Sequence, residues 1–251
     1  MVRLKWRTFY TFMLVVTCIL SAGQSEDEIY RRGMEAYQNE QWSLAIQEFE
    51  SILRRGYQAE VLYYNLGNAY YRGGDVAGAV WAYEKALKLN PNDADARYNL
   101  VLANLRVEDR IDIPEIPFYI RLYRGMRESF TPAEWIRWVS IVLLVTGLLF
   151  ALSRFLQRRW LAWPVLPGTI AAVLIFLFAL DSIITTSRTR EGIIYSPAVT
   201  VYSAPSERST KLFELHEGLK VTILEQSEGW YQIELIDGKS GWMLSDQLRS
   251  L

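Results

Sequence analysis

Three long stretches of the chain contain no charged residue. The first lies between Arg7 and Glu26, the second runs from Trp138 to Ser153, and the third runs from Trp160 to Leu180. The second and third have 16 and 21 residues, lengths expected of helices that cross about 30 Å of hydrocarbon. We therefore predict two membrane-spanning helices in the middle of the chain and a targeting segment at its start.

The first stretch has the pattern of a secretory signal. The basic residues Arg3, Lys5 and Arg7 precede it, and the small residues 21–23 follow it. Both a cleaved signal peptide and an uncleaved signal anchor fit this pattern. We assign residues 1–25 to such a segment and exclude them from the fold.

The two later stretches predict a transmembrane hairpin with helices at 135–156 and 163–184. Residues Thr131 to Glu134 give the first helix a capping box with proline at its first position. The connecting loop at 157–162 is short and rich in arginine, which favours the cytoplasmic side. The hairpin would thus hold both of its flanks on the exported face.

The charges at the outer end of this hairpin are less simple. Four arginines lie there and weaken the charge rule taken alone, so the secretory signal decides the predicted orientation; they are Arg121, Arg124, Arg127 and Arg137. Asp181, near the outer end of the second helix, calls for a partner such as Arg188 or water.

An internal repeat of 34 residues precedes the hairpin. Gly33 and Ala45 align with Gly67 and Ala79, and Asn90-Pro91 ends the second copy. Small residues at these positions allow two helices to cross closely. The pattern resembles tetratricopeptide (TPR) repeats, and we assign residues 26–110 to two repeats plus a half repeat that caps the stack.

The resemblance to TPR domains implies a concave groove lined by the first helix of each repeat. The groove is expected to bind a protein partner, with tyrosines as contact residues. The alternative for any one tyrosine is that it packs between helices. The implied groove positions are Tyr30, Met34, Tyr37, Tyr64, Asn68, Tyr71, Arg72, Tyr98 and Leu102.

An amphipathic juxtamembrane linker is predicted at 111–134, between the repeats and the first span. Its apolar stretch from Phe118 to Phe130 either packs under the helical repeats or lies on the membrane surface.

Alternation with a period of two begins near Ile193 and predicts an all-β domain at 190–251. Its order of strands, turns and Gly-Trp pairs resembles bacterial SH3 domains, which implies a small closed barrel. The expected groove residues are Tyr202, Trp230, Tyr231 and Trp242. For the two tryptophans, a place in the core is the alternative.

Composition limits the chemistry. The only cysteine is Cys18 and the only histidine is His216, so a zinc site built from several such residues is excluded. Residues 26–110 carry 10 Lys and Arg against 14 Asp and Glu, and residues 190–251 carry 6 against 9. Two acidic soluble parts argue against nucleic-acid binding. We predict no catalytic residue, metal or cofactor, and place His216 on a surface strand.

The whole order of a signal, TPR pair, two-span hairpin and SH3-like domain resembles the BatE family of the Bacteroides aerotolerance operons. The resemblance implies a non-enzymatic accessory subunit of an envelope complex in the inner membrane, with both soluble domains in the periplasm. Implied partners are membrane proteins with von Willebrand A domains, the lipid bilayer and peptidoglycan.

Two other functions remain open at this stage. The first is a sensor of cell-wall fragments that signals through the hairpin. The second is an envelope hydrolase, which would need two carboxylates converging in one pocket.

Overall fold

The structure is a computed structural model that describes residues 26–111, 116–188 and 190–251. The predicted signal segment at 1–25 lies outside these residues.

The repeat region folds into five helices joined by short turns. They are α1 (26–38), α2 (Trp42–Arg54), α3 (Glu60–Gly73), α4 (Val76–Leu89) and α5 (Ala94–Asn104). The side chain of Asp75 caps the start of α4, and that of Asp93 caps the start of α5. The helices pack with their neighbours in chain order, so the predicted helical TPR-like part is confirmed.

Glycines set the closeness of the helix pairs. A Cβ atom on Gly33 would lie 2.6 Å from the ring of Phe49, and one on Gly67 would lie 2.6 Å from the ring of Tyr83. Phe49 and Tyr83 are fully buried. The 34-residue spacing therefore reproduces the same ring-on-glycine contact in both repeats.

Three helices follow the repeats: α6 (Phe118–Glu128), α7 (Pro132–Phe155) and α8 (Val165–Arg188). The predicted capping box at Thr131 and Glu134 is present, with proline in the first turn of α7. A 3₁₀ turn, Arg159–Ala162, precedes α8. Helices α7 and α8 pack together, and Gly168 lets α8 approach Thr146 closely.

The hairpin helices are long and apolar enough to cross a membrane. Each has 24 residues, which at about 1.5 Å per residue exceeds the thickness of a bilayer core. Their outward side chains, including Leu144, Leu148 and Leu166, are exposed.

Helix α6 does not pack under the repeats. None of its residues is buried, and it contacts α8 and, through the Trp135 indole, α7. Its one described link to the repeats is a hydrogen bond from Asn92 to the carbonyl of Ser129, just after its last residue. Tyr123 donates a hydrogen bond to Asp181 at 2.9 Å, and Arg127 lies 3.7 Å from the same carboxylate. The described partners of Asp181 thus come from α6. The side chain of Arg188, the expected partner, lies outside the described part of the chain.

The C-terminal domain is one antiparallel sheet. Its strands are β1 (Arg190–Ile194), β2 (Ala198–Tyr202), β3 (Lys211–His216), β4 (Lys220–Ser227), β5 (Trp230–Glu234), β6 (Ser240–Leu244) and β7 (Leu248–Ser250). Their spatial order is β3-β2-β6-β5-β4-β1-β7.

The predicted closed barrel is wrong. The edge strands β3 and β7 do not pair, so the sheet stays open. One reason is that β7 is only three residues long and meets the helical domain: Trp81 Nε1 donates a hydrogen bond to the carbonyl of Ser250 at 3.0 Å. A helix thereby covers the end of the sheet that a barrel would have closed.

The sheet is docked on α4 through Arg249 of β7. The Arg249 guanidinium lies 3.4 Å from the centre of the Trp81 ring. It also donates hydrogen bonds to Tyr70 at 3.2 Å and to Glu50 at 3.3 Å. Stacking and charge pairing together hold this cation between the two domains.

Other polar contacts extend the docking interface. Lys220 lies 3.0 Å from Glu84 of α4 and 3.1 Å from Glu191 of β1. Burial alone would lower the pKa of Lys220, but the two carboxylates outweigh it and raise that pKa. Tyr195 donates to Asp75 at 2.8 Å, and burial raises the pKa of Tyr195 to about 12. The helical repeats and the sheet are therefore in direct contact, and we call the two domains together the head.

Candidate functional site: the concave groove of the repeats

The concave side of the helical domain contains a cavity of about 260 Å³. The first helices α1, α3 and α5 contribute seven of its lining residues, and the second helix α4 contributes Tyr83. The lining residues are Tyr37, Tyr64, Asn68, Tyr71, Arg72, Tyr83, Asn99 and Leu102.

A hydrogen-bond network fixes the floor of this cavity. The Asn68 Oδ1 atom accepts from the Tyr83 hydroxyl at 2.8 Å and from Asn99 Nδ2 at 2.9 Å. Burial raises the pKa of Tyr83, so its hydroxyl stays a neutral donor. Because both donors occupy Oδ1, the Asn68 amide group is left to donate, and no described residue accepts from it.

Two arginines carry positive charge at this cavity: Arg72 lines it, and Arg106 stacks on Tyr71, which also lines it. The Arg72 Cζ atom lies 5.8 Å from the centre of the Trp42 ring, and the Arg106 Cζ atom lies 4.1 Å from the centre of the Tyr71 ring. Within the described residues, neither guanidinium has a carboxylate within 4.0 Å. The groove thus presents amide and guanidinium donors beside tyrosine rings, a combination suited to a peptide carboxylate and backbone.

Most of the predicted groove residues are brought together. Six of the nine line the cavity: Tyr37, Tyr64, Asn68, Tyr71, Arg72 and Leu102. Tyr30 instead packs against Phe49, with ring centres 5.7 Å apart, and accepts a hydrogen bond from Asn65 at 2.6 Å. Met34 packs against the helical core. Tyr98 is 65% exposed and does not line the cavity.

The sequence missed Tyr83 and Asn99. Asn99 repeats Asn65 at the same 34-residue offset that drew attention to Tyr98. The repeat therefore identified this segment, but Tyr98 was assigned to the groove instead of its neighbour Asn99. Tyr83 belongs to the second helix of its repeat, where groove positions were not expected.

Three of the four predicted sheet residues share one face. Tyr202 pairs with Trp242 across β2 and β6, and its ring centre lies 5.7 Å from that of Trp230. All three are partly exposed and lie outside the buried clusters. They form an aromatic surface, which we call the aromatic face.

Tyr231 is separated from that face. It packs against the core of the sheet and lines a cleft of about 580 Å³ between the sheet and the repeats. Lys85 and Lys88 line the same cleft from α4. Burial lowers the pKa of Lys85.

His216 lies on strand β3, as expected, but it is not a free surface residue. Its Nδ1 atom lies 3.0 Å from Asp109, just after the last repeat helix, and its backbone N–H donates to the same carboxylate at 2.6 Å. The hydrogen bond with Asp109 raises the pKa of His216. The described residues contain no cluster of three or more metal-ligating side chains.

Comparison with known proteins agrees with the two soluble domains. Residues 197–249 match the family model of the bacterial SH3 domain, and residues 67–107 match that of the TPR repeat. No curated protein matches the chain.

Among solved structures, the chain is similar to the TPR domain of Sgt2 from Aspergillus fumigatus, at 22% identity and a TM-score of 0.31. The match covers 42% of this chain and 61% of that one. The BatE resemblance stays a prediction. What the comparisons establish is a chain with a TPR repeat and a bacterial SH3 domain, both of which are typically non-catalytic binding domains.

Proposed function

We propose that the protein is a non-catalytic scaffold of a bacterial envelope complex, of the aerotolerance type, anchored in the inner membrane by α7 and α8. The head lies in the periplasm. Its concave groove binds an extended segment of a membrane protein partner, and its aromatic face contacts a second partner or peptidoglycan.

The observation that carries this proposal is the uncompensated charge in the groove. Arg72 and Arg106 face no carboxylate among the described residues, although the helical domain as a whole is acidic. The Asn68 amide also lacks an acceptor. A segment that supplies a carboxylate and backbone carbonyls would satisfy all three groups, at about 1.5–3 kcal/mol for each charged hydrogen bond.

The membrane anchor rests on the hairpin's length and exposed apolar surface. Two 24-residue helices expose their outer leucines, and burying such side chains in lipid yields about 1.5–3 kcal/mol each relative to water. Arg154, Arg158 and Arg159 cluster at the turn between the helices. Their charge supports a cytoplasmic turn and a periplasmic head.

The aromatic face supports a second contact. Tyr202, Trp230 and Trp242 combine apolar rings with polar tips on an exposed side of the sheet. Such surfaces suit both protein segments and the sugar and peptide units of the cell wall. The docking interface uses β7, β4, β1 and Tyr195, none of which carries the aromatic face, so that face remains accessible.

A pull-down of the tagged full-length protein in mild detergent tests the scaffold function. A variant with Tyr64→Ala, Tyr71→Ala and Arg72→Ala is compared with a control with Tyr57→Ala, Tyr98→Ala and Arg208→Ala at exposed positions outside the cavity, and helicity is checked for both. The proposal predicts that defined membrane proteins are lost only from the groove variant. Equal recovery from both variants would refute it.

A cell-wall sensor is the second candidate, and the docked sheet favours it. A ligand on the aromatic face would be rigidly coupled to the repeats through Arg249 and Lys220. In that case soluble wall fragments should change partner recovery, whereas a scaffold should bind its partners equally with and without them.

A further inference from the structure

Helix α6 exposes an apolar stripe that no described residue covers. Phe118, Leu122 and Met126 recur every four residues, so they lie on one face of the helix. Phe118 is 76% exposed and Leu122 is 60% exposed. Tyr119, 62% exposed, widens the stripe. In water, such a stripe on an 11-residue helix would be costly.

The opposite face of α6 is basic. Arg121 and Arg124 lie there, and within the described residues neither has a carboxylate within 4.0 Å. Arg137, in the first turns of α7, is likewise without a salt bridge. Arg127 differs, because it pairs with Glu128 and Asp181. Arg121 donates a hydrogen bond to the carbonyl of Ile116 at 3.3 Å. Three guanidiniums near the stripe therefore have no carboxylate partner among the described residues.

The contacts of α6 place it beside the outer end of the hairpin. Tyr123 and Arg127 reach Asp181 on α8, and Trp135 of α7 donates a hydrogen bond to the carbonyl of Arg127 at 3.1 Å. The Tyr123 ring lies 5.4 Å from that of Phe178, centre to centre. These contacts use one edge of α6 and leave the stripe facing away from the protein.

From the stripe, the arginines without a carboxylate partner and the position beside the hairpin, we infer that α6 is a binding surface for anionic phospholipids. The helix lies in the membrane interface, with Phe118, Leu122 and Met126 in the acyl boundary. Arg121, Arg124 and Arg137 bind phosphate groups of the anionic headgroups. The inference rests on the proposed membrane anchor.

This lipid contact explains the excess of arginine at the exported end of the hairpin. Residues that bind headgroups of the outer leaflet serve as a local anchor, and the hairpin's orientation is set elsewhere in the chain. The contact also sets the distance between the head and the membrane, because α6 lies between the last repeat and α7 in the chain.

Depth measurements on the full-length protein in vesicles test this inference. A fluorescent label is attached at Leu122→Cys, at Glu128→Cys on the polar face, or at Leu148→Cys inside α7, each in a Cys18→Ser background. Vesicles contain phosphatidylcholine with or without phosphatidylglycerol. Quenching by brominated lipid and by aqueous iodide reports the depth of each label.

We expect lipid quenching at positions 122 and 148, iodide quenching at 128, and at least twofold stronger lipid quenching at 122 when phosphatidylglycerol is present. Arg121→Gln with Arg124→Gln should remove that dependence on lipid charge. If the label at 148 is deep while the label at 122 is in water, the anchor stands and the α6 inference is wrong. If the labels at 148 and 122 are both in water, both ideas fail. Equal lipid quenching at position 122 with and without phosphatidylglycerol would show that α6 does not prefer anionic lipid.

Discussion

Arginines lie against two sides of the helical domain, and they differ in whether a carboxylate of the chain pairs with them. On the side facing the sheet, Arg249 is enclosed by Trp81, Tyr70 and Glu50. At the concave groove, Arg72 lines the cavity near the Trp42 ring and Arg106 stacks on the lining residue Tyr71, and neither has a carboxylate within 4.0 Å among the described residues. A cation satisfied inside the chain holds the fold together, whereas a cation held in a cavity without its counter-charge is available to a ligand.

Both sides depend on the packing of α3 against α4 at Gly67 and Tyr83. A change there should have the largest effect on stability. In Gly67→Ala, the new methyl group would meet the buried Tyr83 ring at 2.6 Å. Overpacking of this kind costs about 3 kcal/mol at its upper range. We expect a lower thermal midpoint and loss of both the groove and the docking. Gly125→Ala, where nothing lies within 4 Å, is the control, and an equal loss of stability in both would contradict the packing argument.

Removing the Arg249 side chain should weaken the contact between the helical domain and the sheet. Arg249→Ala leaves Glu50 without its partner across the interface and removes the stacking on Trp81. The interface is only partly buried, so we expect the docking to weaken by about 2 kcal/mol. Hydrogen exchange should rise in α4 and β7 while the helices themselves remain folded. Arg208→Ala serves as the control, since its side chain makes no described contact.

Removing a groove cation should leave the docking intact. Arg72→Ala is expected to weaken binding of a carboxylate-bearing segment about tenfold, since one charged hydrogen bond is lost. Arg72→Lys should recover part of the affinity because the charge is kept but the planar fork is not. Titration of the segment and of its amidated form would check this. Equal affinities for the two forms would exclude a carboxylate contact.

The smallest effect concerns pH at the edge of the docking interface. The pKa of His216 is raised above 6.5 by its hydrogen bond with Asp109, with Glu108 and Glu214 as further negative neighbours. The stabilisation is therefore fully present below the unfolded pKa and is lost as pH rises through the folded one. Protection of the β3 amides from exchange, corrected for the intrinsic effect of pH on exchange, should fall as pH rises above the ordinary histidine pKa of about 6.5. His216→Gln should abolish this dependence, and an unchanged dependence would assign it to another group.

Local patterns predicted much of the fold. The 34-residue offset located both ring-on-glycine contacts, and Thr131 to Glu134 gave the start of α7. The alternation after Ile193 located the strands. These features depend on residues that are near in sequence or repeated at a fixed interval.

Contacts between distant segments could not be predicted. Glu50 and Arg249 are 199 residues apart, and neither residue type nor spacing marks them as partners. The same docking explains why the closed barrel was expected wrongly, since the end of the sheet meets Trp81. At the groove, the 34-residue repeat identified the helix but not the residue: Asn99 lines the cavity and Tyr98 is exposed, because a one-residue step rotates a helical side chain by about 100°.

Photo-cross-linking from the groove tests the central claim most directly. A photoreactive amino acid is placed at Tyr64 in the full-length protein in cells, and the attached residues are mapped by mass spectrometry. The account predicts attachment to an extended segment of a membrane protein, with a carboxylate within a few residues of the attachment point, and loss of the product on Arg72→Ala. Attachment that persists without Arg72, or that maps to segments lacking a carboxylate, would contradict it.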